Sequence, residues 1–217
     1  MSAADEPQTP AERVARLFTR SDGSFRFARW GRPIAPAIFG TDEAGERLMA
    51  EGLRAAAGMT GLGLAERDGD LGANMLIFLV RDWPELAEIP SLDRLIPDLA
   101  KLVSTLGATG ANQYRIFDFD ETGAIRICIT LIRLDAEMER TPGRALALGQ
   151  AVMGLLLWSD HAFLGESPVA LMEDGRAVIR SFHADLIRAA YDPALPPAST
   201  DPATAESLAA RIAGPAA

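Results

Sequence analysis

Residues 145–158 read Ala-Leu-Ala-Leu-Gly-Gln-Ala-Val-Met-Gly-Leu-Leu-Leu-Trp, the longest apolar stretch in the chain. A membrane span needs about 20 consecutive apolar residues. This stretch is shorter and carries Gly149, Gln150 and Gly154. Its apolar side chains lie all round a helical projection rather than along one stripe, which is the pattern of a helix enclosed in a domain core. The stretch predicts a helix over residues 146–158 beneath a sheet, ended by Ser159-Asp160-His161.

Upstream lies the material for that sheet. Residues 114–119 and 124–134 flank Asp120-Glu121-Thr122-Gly123 and predict a hairpin. In its second arm Ile125, Ile127, Ile129 and Leu131 face one way and Arg126, Cys128 and Thr130 the other. Residues 73–80 (ANMLIFLV) form a continuous apolar run, expected as a central strand buried on both faces. Residues 34–39 (IAPAIF) predict an edge or bulged strand because of Pro36, and residues 62–66 a second short strand. A helix is expected over residues 42–57, N-capped by Thr41, with Asp42 and Glu43 at its positive end and Gly58 closing it. Residues 86–106 are helical in pattern, but Pro90 and Pro97 divide them into two short helices. Downstream, a loop precedes an amphipathic helix over residues 178–191, which Asp192-Pro193 stops. A Pro-rich linker follows, and then a last helix capped by Asp201 with Pro202 at its first position. The fold class is therefore α+β, a mixed β-sheet packed on helices. One domain is expected over residues 21–194, with an Arg-rich helical segment at 1–20 and a Pro/Ala-rich tail at 195–217 holding a short, weakly docked helix.

Composition narrows the function. With 217 residues, 48% hydrophobic, the chain buries a sizeable core and is not disordered overall. A formal charge of −9 speaks against general nucleic-acid binding. One cysteine, Cys128, excludes an intrachain disulfide and a multi-thiolate zinc site, and reads as an inert mid-strand packing residue. Two histidines, His161 and His183, exclude a His-rich metal site. The opening residues, MSAADEPQTP, have neither a positive region nor an apolar one, so no export signal is present in them. A soluble protein is expected, cytoplasmic by default and extracytoplasmic if the chain is a mature form. Against the acidic average, Arg13, Arg16, Arg20, Arg26, Arg29 and Arg32 meet a single acid, Asp22, within twenty residues. Arg13, Arg16 and Arg20 would share a helix face. That face reads first as a solvated surface and second as a docking site for an anionic partner.

No nucleophile elbow, P-loop, dinucleotide-binding glycine motif or H-E-x-x-H is present. Gly58, Gly61 and Gly63 follow a helix and read as turn glycines. The polar group that remains is Asp160, His161, Glu166 and Ser167, with His183 and Asp185. His161 would serve as a base oriented by a carboxylate; the structural alternative makes it a residue at the negative end of the buried helix.

Several short motifs carry a resemblance. Arg29-Trp30-Gly31-Arg32-Pro33-Ile34 resembles an Arg-Trp-x-x-Pro-Val opening, Thr60-Gly61-Leu62 and Ala73-Asn74 fit a middle portion, and residues 183–195 end in Tyr191-Asp192-Pro193-Ala194-Leu195. Together they resemble an uncharacterised bacterial family of zincin-like proteins, most of them exported, across most of residues 25–195. The resemblance implies a metallopeptidase-like fold whose buried helix carries zinc ligands. Laying H-E-x-x-H-x-x-G-x-x-H on this helix places Gly149 and Gln150 first, then Met153, Leu156 and Ser159. Zinc hydrolysis needs imidazole or carboxylate ligands and a Glu base, and these residues supply neither. The expectation is a pseudoenzyme that binds an unknown peptide or protein partner, with no cofactor and no metal. Arg29-Trp30 and Tyr191-Asp192-Pro193 are then fold determinants. The alternative is a hydrolase with a relocated site around Asp160, His161, Glu166 and His183.

Overall fold

A sheet strand buried on both faces must be apolar throughout, and the run Met75–Val80 sits at the middle of the main sheet for that reason. The computed structural model describes residues 9–214. In chain order the elements are α1 (Pro10–Phe18), β1 (Phe27–Ala28), β2 (Pro36–Phe39), α2 (Glu43–Ala57), β3 (Met75–Val80), a 3₁₀ turn (Trp83–Glu88), α3 (Leu92–Leu95), α4 (Leu99–Thr109), β4 (Gln113–Phe119), β5 (Ile125–Arg133), α5 (Ala136–Arg140), α6 (Gly143–Leu155), β6 (Val169–Leu171), β7 (Ala177–Ile179), α7 (Ser181–Ala190), β8 (Ala198–Ser199) and α8 (Ala203–Ile212). The main sheet has the order β2-β3-β5-β4. Its first three strands run parallel, and β4 returns antiparallel to β5 through the hairpin.

Two apolar layers cover this sheet. On one face α2 and α6 pack closely, and Met49, Leu53, Met75, Cys128, Val152 and Leu155 belong to one core. On the other face the 3₁₀ turn, α3 and α4 enclose Phe78, Trp83, Leu86, Leu92, Ile129 and Leu131. The domain is thus α+β with a mixed sheet between helices, and among the described residues no helix is long and apolar enough to cross a membrane.

The alternation expected along β5 holds from Ile127 onward and breaks at Ile125, which joins the α2–α6 core instead. The register shifts between Asp118 and Phe119, so Phe119 pairs with Ile125 and Asp118 with Ile127. The extra residue, Arg126, turns Ile125 to the other face. The expected strand at residues 62–66 is reduced to a single parallel bridge between Ile34 and Leu64. Gly61 and Gly63, both at φ +72°, turn the chain on either side and prevent a longer ladder. Asp42, not Thr41, caps α2, its Oδ1 accepting from Gly45 N at 2.8 Å. The loop before α7 contains the β6–β7 hairpin, and α7 begins only at Ser181.

The flanks also differ from the sequence reading. Both α1 and α8 belong to the α2–α6 core and pack on each other, Val14 and Leu208 being fully buried, while β1 pairs antiparallel with β8. Residues 1–8 and 215–217 of the expected flanking segments lie outside the described residues.

Candidate functional site

The buried helix ends earlier than its apolar run. α6 stops at Leu155, and Leu156 is extended at φ −132°. The last carbonyls of a helix lack intrahelical partners, and here three aromatic side chains supply them. Trp30 Nε1 donates to Gly154 O at 2.8 Å, Tyr191 Oη to Leu155 O at 2.7 Å, and Trp158 Nε1 to Val152 O at 3.1 Å. Tyr191 Oη also accepts from Trp30 N at 3.4 Å, and burial drives its pKa upward. Arg29 Nη2 donates to Leu195 O at 3.1 Å, and Asp192 pairs with Arg211 at 2.7 Å. The sequence motifs Arg29-Trp30 and Tyr191-Asp192-Pro193 therefore meet at the end of α6.

Beyond that end lies a groove of about 500 Å³. One wall is β4, through Gln113, Arg115 and Phe117; Met153 and Leu157 line it from α6 and just beyond; Ser159, Asp160, Ala162, Phe163, Leu164 and Arg20 form the far side. Cys128 N–H donates to Asn74 O on the β3 side at 2.9 Å. Alternation along β5 then turns the backbone groups of Ile129 and Leu131 toward β4, where they meet Ile116 and Tyr114, so the backbone N–H and C=O groups of Gln113, Arg115 and Phe117 point away from β5. Among the described residues no strand pairs with this outer edge. The edge is thus an open row of donors and acceptors.

Polar side chains meet at the groove where β4 passes α6. Arg115 Nη2 donates to Gln150 Oε1, both Arg115 Nη groups lie 3.3–3.4 Å from Gln113 Oε1, and Gln150 Nε2 donates to Gln113 Oε1 at 3.1 Å. Burial lowers the Arg115 pKa to about 10, so the guanidinium stays charged at neutral pH. The residues present do not fit a zinc ion. Gln150 Oε1 is engaged by a cation, Met153 offers only a thioether, and among the described residues no group of three or more His, Cys, Asp or Glu converges as metal ligands.

Of Asp160, His161, Glu166 and His183, the structure brings the first two together, His161 Nδ1 lying 3.3 Å from Asp160 Oδ1. They stand in a turn after α6 rather than in its last turn, because the helix has already ended. Asp160 also accepts from Ser21 N at 3.0 Å and from Ser21 Oγ, and these bonds hold its pKa down to about 2. Ser21, Asp160 and His161 do not form a nucleophile–base chain, since the carboxylate stands between hydroxyl and imidazole and the hydroxyl donates to it. Glu166 pairs with Arg180 at 3.3 Å. His183 is buried among the rings of Trp158, Phe163 and Phe182, its Nδ1 has no hydrogen-bond partner, and burial, with Arg13 nearby, lowers its pKa. Asp185 pairs with Arg188 at 2.8 Å, and Ser167 Oγ accepts from Val169 N.

The Arg13, Arg16 and Arg20 trio is divided by the end of α1. Arg13 lies over the Phe182 ring at 3.7 Å, whereas Arg20 follows the helix and lines the groove. Sequence reading missed Gln113, Arg115 and Arg20 as groove residues. The period of two in β4 places Gln113, Arg115 and Phe117 on one face, but nothing in the sequence says that Gln150 meets them. Cys128 is enclosed beside Thr130, and burial raises its pKa to about 11. The chain matches no family model, no curated protein and no solved structure.

Proposed function

We propose that this protein is a non-catalytic, zincin-like binding module that takes an extended peptide segment along the open edge of β4. The observation that carries the binding reading is the groove itself, an aromatic and aliphatic trough beside an unpaired strand edge whose outward backbone groups belong to Gln113, Arg115 and Phe117. Strand addition to such an edge takes affinity from main-chain hydrogen bonds and selectivity from alternate side chains. The zincin-like part is supported by the place of α6, buried under the sheet beside α2, and by the motif residues that satisfy its terminal carbonyls. The non-catalytic part is supported by Gln150 and Met153 at the expected ligand positions, with Arg115 on Gln150.

The competing reading, a hydrolase around Asp160 and His161, draws on their contact at 3.3 Å. One experiment separates the two. Purified protein is incubated with a mixture of fluorogenic peptides, alone and as the His161→Ala variant, and amide shifts are followed by NMR. The expected result is no turnover, with shifts concentrated at Gln113, Arg115 and Phe117. Hydrolysis that disappears in His161→Ala overturns the proposal.

A further inference from the structure

Two guanidinium groups face the groove: Arg20, on which Asp22 acts only at longer range, and Arg115, on which no carboxylate among the described residues acts. Among the described residues, no carboxylate lies within ion-pair distance of Arg20 or Arg115, although Arg32, Arg133, Arg180, Arg188 and Arg211 all have one. Among the described residues, the buried Nε atoms of Arg20 and Arg115 have no hydrogen-bond partner. Among the described residues, Arg115 is held by the amide oxygens of Gln113 and Gln150 alone. Neutral amides orient a guanidinium and offset part of its desolvation, but they supply no negative charge. The carboxylate on the groove wall, Asp160, is engaged with Ser21 and His161. The groove therefore offers a fixed, incompletely solvated positive charge between apolar walls, and a carboxylate is the chemistry that complements a planar guanidinium.

We infer that Arg115, assisted by Arg20, receives the side-chain carboxylate of an Asp or Glu in an extended peptide paired with β4. The inference rests on the strand-addition reading above. Arg115 presents its backbone to the open edge, so the residue paired with it projects its side chain to the same face, with Cβ atoms about 5 Å apart. A strand period of two then puts the next same-face side chain of the peptide opposite Phe117, where Met153 and Leu157 also line the groove, and an apolar residue fits there. The recognised segment is thus an acidic residue with an apolar residue two positions away.

The test is fluorescence anisotropy with a nine-residue peptide carrying an N-terminal fluorescein and a C-terminal amide. It has Glu at its centre, Val two positions to either side and Thr between them. A second peptide replaces the central Glu with Gln, and a third carries that Gln and a free C-terminal carboxylate. The expected result is binding of the Glu peptide roughly ten-fold or more tighter than either Gln peptide, as for a hydrogen bond to a charged partner. That preference weakens as salt is raised. It is lost in Arg115→Gln and reduced in Arg20→Gln, with thermal melting used to establish that each variant is folded. If Arg115→Gln fails to fold, the preference of the unmodified protein and the Arg20→Gln variant still decide the matter. Equal binding of the Glu and Gln peptides overturns the carboxylate assignment and leaves strand addition standing. Tighter binding of the free-terminus peptide overturns the side-chain assignment in favour of a terminal carboxylate. Binding of none overturns both this inference and the strand-addition reading.

Discussion

At the scale of single residues, placement decides which polar groups are spent and which are available. Asp160 is one of the carboxylates the sequence offers for a site, yet Ser21 and His161 occupy it. His183 was the second histidine candidate, and it is enclosed by three aromatic rings with an unpartnered Nδ1. Burial, and Arg13 after it, favour neutral imidazole in the folded state, while the unfolded chain titrates near 6.5. Below 6.5 and down to the lowered native pKa, the unfolded state binds the proton and the folded state does not, so stability falls as pH falls through that window. Urea unfolding at pH 7.5 and pH 5.5 checks this. The loss between the two is expected to be smaller in His183→Phe than in the unmodified protein.

At the scale of elements, the contact between α2 and α6 organises the layer that carries the groove. Gly52 is buried in the middle of α2, where Ala is normally the better helix former by about 1 kcal/mol. A Cβ at position 52 would stand 2.7 Å from Ala147 C, 2.8 Å from Ala147 O and 2.9 Å from Leu148 N. These are backbone atoms of α6 and cannot rotate away, so the helices must separate. Overpacking of this kind costs about 1–3 kcal/mol and outweighs the propensity gain. Gly52→Ala is therefore expected to lower the denaturant midpoint, whereas Ala at an exposed helical glycine such as Gly107, with nothing near its Cβ, is expected to raise it. The element scale also shows how far the sequence could be read. Period-two alternation located β5, the turn before it located β4 as the other arm of a hairpin, and the continuous apolar run located β3. The bulge at Arg126 and the early stop of α6 were not legible. A bulge has no composition signal here, and Leu156, Leu157 and Trp158 are as apolar as the helix they follow.

At the scale of the whole molecule, the two ends of the chain close the core. Read as a sequence, the last helix has only Leu208 and Ile212 as large apolar residues and looks weakly attached. In the fold, Leu208 is fully buried with α1 against its helix. Leu208→Ala is expected to cost about 2–5 kcal/mol, the range for a buried leucine. A loosely attached tail would lose under 0.5 kcal/mol at the same substitution. Equilibrium unfolding followed by far-UV circular dichroism and by tryptophan fluorescence distinguishes the two, with the transitions by both probes expected to coincide.

What the sequence by itself determined is the class of the protein and much of its local structure: an α+β domain, a buried helix, a central strand and a hairpin. These follow from periodicity, turn chemistry and residue type, all of which act between near neighbours. Only the tertiary structure decided that Trp30 and Tyr191 close the end of α6, that Arg20 faces the same groove as Arg115, and that Gln150 reaches Gln113 across 37 positions in sequence. Those contacts depend on which strand borders which helix. Burial then sets their charge balance, for a guanidinium that would be ordinary on the surface lies in the groove without a counter-charge.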